Sequence, residues 1–184
     1  MFNIAGVVLA GGKSTRMKSD KKELIFNGET FLNIAKNNLK SSNCHNIYVS
    51  LAKASTKDKN IIEDNIKNIG PLSGVLCALG QIKSDYIVFI PIDMPLLKPT
   101  IIKYLIDNIN ENSMAIHYEN HIFPFIIKNS QPVIDIINNQ IESKAFSLFK
   151  LLKNLNATTI IFNDDEKYLQ NINYQEDFLR LTKC

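Results

Sequence analysis

Gly11 and Gly12 stand side by side immediately after an apolar run from Ile4 to Leu9, and Arg16 and Lys21 follow within ten residues. Adjacent glycines at the end of a strand let the backbone approach a ligand closely and turn successive N–H groups toward it, an arrangement that binds anions. Two permanent cations five residues apart then stand beside the same turn. The segment from Leu9 to Lys21 therefore reads as a phosphate site built into the first loop of the chain.

Two commoner phosphate motifs are excluded by spacing. Gly12-Lys13-Ser14 looks like the end of a P-loop, but the glycine that should precede it by five positions is Val7, and Gly6 lies one residue too far back. The three spaced glycines of a dinucleotide-binding turn are also missing after Leu9.

A second constellation is Pro91-Ile92-Asp93-Met94-Pro95, one carboxylate held between two prolines at the end of the apolar run 86–92. Magnesium takes hard oxygen ligands and needs only one or two carboxylates when substrate phosphates complete its shell. Asp93 is thus a candidate ligand for a nucleotide-bound Mg²⁺; a plain turn made by Asp and Pro is the other reading of the same residues. A third element, Gly70-Pro71-Leu72-Ser73-Gly74, opens a helix with proline in its first turn, where no N–H is needed.

Strand and helix patterns alternate around these residues. The spacing predicts strands at 4–9, 47–51 and 86–92. It predicts helices over 30–40, 57–66, from Gly70 onward, and over 100–109. Short strands are expected at 114–118, 123–128 and 158–162, with helices at 133–139, 146–155 and 174–181, the last capped by Asn173 with Glu176 at its third position. Repeated βα units imply a three-layer α/β fold with a mostly parallel sheet, in which ligands sit at the carboxyl ends of the strands. The Gly11-Gly12 loop and Asp93 both fall on that edge.

The chain has 184 residues, suited to a single domain over 1–184, with 45% hydrophobic and 21% charged residues. Its 21 basic and 18 acidic residues leave a formal charge of +3, too balanced to argue for a nucleic-acid partner. No apolar stretch reaches membrane-spanning length, and the apolar start lacks a basic leader. Cys44, Cys77 and Cys184 match neither a disulfide framework nor a zinc spacing. These features lead us to expect a soluble cytoplasmic protein that binds no membrane and no nucleic acid.

The string Leu9 to Lys21 resembles the nucleotidyltransferase signature L-A-G-G-x-S-x-R-M-G-x-D-K, most closely that of the molybdenum-cofactor guanylyltransferases, the MobA family. Leu9 to Gly12, Ser14, Arg16, Met17, Asp20 and Lys21 match position by position. Lys18 stands where the family usually has glycine. A positive φ there would strain lysine by about 1 kcal/mol; any other conformation adds a third cation. Pro91–Pro95 resembles the family's P-x-D-x-P metal motif, and Gly70–Gly74 its G-P-L-x-G element near the nucleobase.

The resemblance implies a Rossmann-like nucleotidyltransferase fold and transfer of GMP from GTP to the phosphate of molybdopterin, with Mg²⁺ and release of pyrophosphate. It assigns catalysis to Arg16, Lys21 and Asp93, and nucleotide binding to Leu9, Ala10, Gly11, Gly12, Lys21, Gly70 and Asp93. Family spacing puts an acid for the guanine N1–H and amino group about seven residues before Gly70, between Glu63 and Asp64, with Asp64 favoured. Ser50 falls near a position where the family often has asparagine and is carried as a binding candidate. Asn171 and Asn173 resemble a terminal N-x-N-x-x-x-D motif, as pterin contacts or as helix caps. The stretch from His117 to Phe125 keeps only part of a family motif, and His45, His117 and His121 read as ordinary histidines.

The protein is expected to be a monomer in transient contact with proteins that deliver molybdopterin or receive its product. Two alternatives share the inventory: a CTP-dependent transferase acting on a pterin or sugar-type acceptor, and a nucleotide-binding regulator without catalysis. The Gly11-Gly12 pair, where cytidylyl relatives typically have Ala-Gly, favours guanylyl transfer, and retention of Lys21 and Asp93 favours an enzyme.

Overall fold

A computed structural model describes residues 2–11, 23–53, 58–64, 66, 69–172 and 177. Its centre is β1 (Ile4–Leu9), which lies between two parallel neighbours, β4 (Asn46–Leu51) and β6 (Tyr86–Pro91), with Val8 level with Val49 on one side and Ile90 on the other. Beyond β4 comes parallel β5 (Ile61–Glu63). Beyond β6 come antiparallel β8 (Phe125–Lys128), then β7 (Ala115–Tyr118) and β9 (Thr158–Ile160), giving a seven-stranded sheet in the order β5-β4-β1-β6-β8-β7-β9. Only β8 runs against the rest, so the carboxyl ends of the other six strands share one edge.

The long runs are continuous rather than alternating because both faces of this sheet are covered. On β6, Tyr86, Val88 and Ile90 enter one core while Ile87 and Phe89 enter the other. The first core is closed by α1 (Phe31–Ser41) and α3 (Pro99–Asp107), the second by α2 (Pro71–Gln81), α4 (Gln131–Glu142) and α5 (Leu148–Asn154). Pro71 and Pro99 occupy first helical positions, as their missing N–H allows. Thr30 caps α1 by accepting from the Asn33 amide at 3.2 Å.

Three readings of the sequence need correction or addition. The helix expected over 57–66 is not what its described residues form: 58–64 contain β5, which pairs Val49 with Ile61 and buries Ile62 against α2. The β-branched pair Ile61-Ile62 fits both periods over so short a window, and Asp58 settles the turn, its Oδ1 accepting the Asn60 amide at 2.9 Å. A small hairpin of β2 (Ile25–Phe26) and β3 (Glu29–Thr30) was not foreseen. Its turn, Asn27-Gly28, has φ of 51° and 84°, the pattern that favours Asn-Gly. The last strand stops at Ile160, two residues early. The helix expected at 174–181 and its cap at Asn173 and Glu176 lie outside the described residues.

Burial sets one pH response. It pushes the Cys44 thiol from its ordinary 9.0 up to about 12, and raises the Tyr118 and Tyr86 phenols in the same sense, with Tyr104 and Asp164 adding to the first and Asp85 and Glu111 to the second. The unfolded chain therefore loses these protons first as pH rises. For Cys44 the stabilising effect is whole below about pH 9 and is lost as pH rises to about 12, and that of the two phenols begins to fall only above their ordinary 10.0. Urea unfolding midpoints should hold constant from pH 7 to 9 and fall above it, while Cys44 resists alkylation in the folded protein at pH 8.

Candidate functional site

The carboxyl edge of the sheet is extended by single backbone bonds past the ends of its strands. The Ala10 amide donates to the Ser50 carbonyl at 2.9 Å, Asp64 donates to Leu51 at 2.7 Å, and Ile92 donates to Leu9 at 3.2 Å. Asp64, the Leu51-Ala52 pair, Ala10-Gly11 and Ile92-Asp93 thus leave the sheet side by side. Asp64 and Asp93 emerge three strand spacings apart, roughly 14 Å, with the start of the glycine loop between them.

Gly11 is where this edge is tightest. A Cβ there would stand 3.3 Å from the Ala52 amide nitrogen and 3.7 Å from Oδ2 of Asp64. The Asp64 carboxylate therefore leans back over β4 toward the glycine loop. Glu63, still on the strand and level with Leu51, is exposed. Consecutive strand residues face opposite ways, so of the two candidate acids only Asp64 turns to the loop.

A single hydroxyl holds Asp64. Ser73 Oγ donates to Asp64 Oδ1 and accepts from the Ile66 amide at 3.2 Å. Ser73 belongs to the first turn of α2, whose cap is Gly70 at φ 62°, ψ −150°, a conformation open to glycine and strained for any L side chain. The Gly-Pro pair thus breaks the chain sharply into α2 and delivers Ser73 beneath the acid. In the sequence Ser73 is one residue of the Gly70–Gly74 motif without a role of its own; the signal for it is a small hydroxyl in the first turn of a helix, shortly after an acid.

Ser50 is placed differently from what a ligand contact requires. It is buried, and its Oγ would lie 2.6 Å from a Cβ added to Gly74, so its side chain faces α2. Its carbonyl, not its hydroxyl, serves the site, by holding Ala10. Gly74 in turn has no room for a methyl group, with Leu9 Cδ2 3.0 Å from the same point. Gly74→Ala should overpack this contact and lower stability by about 1–3 kcal/mol. Ser50→Gly in the same chain should recover much of the loss, which chemical denaturation of the single and double variants will read.

On the far side, Asp93 stands in the turn two residues past β6, half-buried, and its carbonyl accepts the Ile172 amide at 2.7 Å. That bond, with Ile172 packed into the first core, brings the exposed Asn171 up beside Asp93. Among the described residues no group of three or more His, Cys, Asp and Glu could hold a metal on its own. A single hard-oxygen carboxylate at the end of β6 fits a divalent cation whose remaining ligands come from a nucleotide's phosphates.

The histidines serve local structure. His117 Nδ1 donates to the His121 carbonyl at 2.7 Å, His121 Nε2 lies 3.0 Å from Glu166, and His45 is exposed. Leu9, Ala10, Gly11, Asp64, Gly70, Asp93 and Asn171 therefore gather at or next to one edge. Gly12, Arg16, Lys18, Lys21 and Asn173 lie outside the described residues.

Comparison with known proteins gives concordant results. The family model described as MobA-like NTP transferase domain matches residues 6–156. A protein of Methanocaldococcus jannaschii named "Probable molybdenum cofactor guanylyltransferase" is 30% identical, over 96% of this chain and 97% of that one. Among solved structures, molybdopterin-guanine dinucleotide biosynthesis protein A from Archaeoglobus fulgidus superposes with a TM-score of 0.77 at 20% identity, covering 97% of both chains. A cytidylyltransferase from Leptospira borgpetersenii superposes at 0.76 with 17% identity, covering all of this chain and 87% of the other. The last two likenesses establish the nucleotidyltransferase fold.

Proposed function

Because the chain belongs to the MobA-like NTP transferase family, and is thus a nucleotidyltransferase, we propose that it transfers GMP from GTP to the terminal phosphate of molybdopterin. A phosphate oxygen of the acceptor attacks the α-phosphorus of GTP in line. The bond from that phosphorus to the bridging oxygen of the β-phosphate breaks, and pyrophosphate leaves. The product is molybdopterin guanine dinucleotide.

The single observation that supports this reading best is the carboxyl edge itself, with Asp64 at one end, the approach to the glycine loop in the middle and Asp93 at the other. A guanine presents N1–H and an amino group, both donors, and Asp64 Oδ2 is a fixed acceptor beside Gly11. Adenine offers an acceptor at the corresponding ring nitrogen, so a carboxylate there rejects it. Sites that pair hydrogen bonds in this way discriminate strongly.

Members of this family need a divalent metal, and we assign Mg²⁺ to Asp93. When bound it supplies charge neutralisation at the phosphates. The chain's own groups do the rest: the Gly11 and Gly12 amides, Arg16 and Lys21 hold the triphosphate, and Asn171 and Asn173 contact the pterin. Phosphoryl-type transfer needs little more than positioning and charge stabilisation, and no covalent intermediate on the protein. GTP and molybdopterin are then the only small-molecule partners the reaction requires. Among the described residues no helix is long and apolar enough to cross a membrane.

Thermal stabilisation by the four nucleoside triphosphates, each with Mg²⁺, tests the assignment. GTP should raise the melting temperature well above the shift from CTP, ATP or UTP. A larger shift with CTP would favour the cytidylyl alternative, and equal shifts would end the guanine reading.

A further inference from the structure

We infer that Ser73 is a positioning residue for base selection, acting through the hydroxyl that it donates to Oδ1 of Asp64 so that Oδ2 stays turned toward Gly11. The inference rests on the proposed reading of Asp64 as the partner of the guanine donors, and deepens it.

Ser73 is fully enclosed, and a buried hydroxyl must find partners. It finds two from the same loop, giving its proton to Asp64 and accepting the Ile66 amide at 3.2 Å, while its own amide bonds the Gly70 carbonyl at 3.2 Å. One atom thereby ties Asp64 and Ile66 to the first turn of α2. That helix is itself seated on the sheet at the close contact of Gly74 with Ser50 and Leu9, so the acid is referenced to the same backbone that carries Gly11.

The consequence is chemical. An aspartate at a half-exposed loop can rotate its carboxylate, and a base that needs two parallel acceptor positions must order it on binding. A hydrogen bond to an ionised acceptor is short and strong, and it fixes the plane of the group in advance. The ligand then meets a carboxylate whose plane is already set, with Oδ2 facing the loop and Oδ1 keeping a second lone pair beside the one that Ser73 occupies. Preorganisation of this kind shows in affinity for the matching base, not in the chemistry at the α-phosphate.

The test is kinetic. In Ser73→Ala, KM for GTP should rise about tenfold, the scale of one hydrogen bond to a charged group. The rate at saturating GTP should be retained, and the preference for GTP over ATP should fall by the same factor. In an Asp64→Ala background the Ser73 change should have no further effect, because the group it positions is gone. Two results would overturn the inference alone: loss of selectivity in Asp64→Ala with Ser73→Ala still selective, or a Ser73→Ala penalty that persists unchanged without Asp64. Selectivity that survives Asp64→Ala overturns the reading of Asp64, and the inference with it.

Discussion

Asp93→Asn should abolish Mg²⁺-dependent turnover while leaving the protein as stable as before. The substitution keeps size and shape, and the bond that secures the neighbouring chain uses the backbone carbonyl of residue 93, which accepts the Ile172 amide and is untouched by the change. What disappears is the negative charge of residue 93, the anchor proposed for the cation. Metal-dependent charge stabilisation is worth several kcal/mol, so the rate should fall about 10³-fold or more. GTP binding measured without metal should change little, since the base and the triphosphate are assigned to other residues. If Asp93 merely turned the chain, the pattern would reverse, with a lower melting temperature and turnover preserved. Melting temperature and pyrophosphate release from one preparation distinguish the two.

Lys21→Ala is the second large effect expected. Lys21 lies outside the described residues, and its role comes from its match to the last position of the glycine-loop signature. A fixed cation near the departing pyrophosphate acts most on the transition state, where charge on the leaving oxygens grows. Loss of such a stabiliser costs about 10²–10³ in rate. The decrease should appear in kcat with the fold intact by circular dichroism, and Lys21→Arg should restore part of it. A Lys21→Ala protein turning over at the wild-type rate would remove this residue from the mechanism.

The elements that position the site were legible where burial on both faces writes an unbroken apolar run. The strand from Ile4 to Leu9 appears in the structure with the bounds expected for it, and Tyr86–Pro91 one residue shorter than read, because such runs at the centre of a parallel sheet leave few alternatives. Edge elements were harder. Residues 57–66 carry too few apolar positions to separate period 2 from period 3.6, and the misreading mattered. On a helix Glu63 and Asp64 would both have remained candidates, whereas the short strand β5 leaves Glu63 exposed and sends Asp64 over Gly11.

Asn27-Gly28 is a hairpin signal without flanking support, since a two-residue strand on either side carries no periodicity. Side-chain direction was the least legible property. Ser50 and Ser73 are both buried serines near the edge, yet one points beneath α2 to Gly74 and the other rises from α2 to Asp64. Only the close approach of helix and sheet decides between them.

The most direct measurement is pyrophosphate release from GTP with Mg²⁺, in the presence and absence of molybdopterin, repeated with CTP and ATP. Guanylyl transfer predicts release with GTP only when the acceptor is present, in equal amount with the dinucleotide formed, and little with the other two. Release at equal rates from ATP, or from GTP without any acceptor, would contradict it.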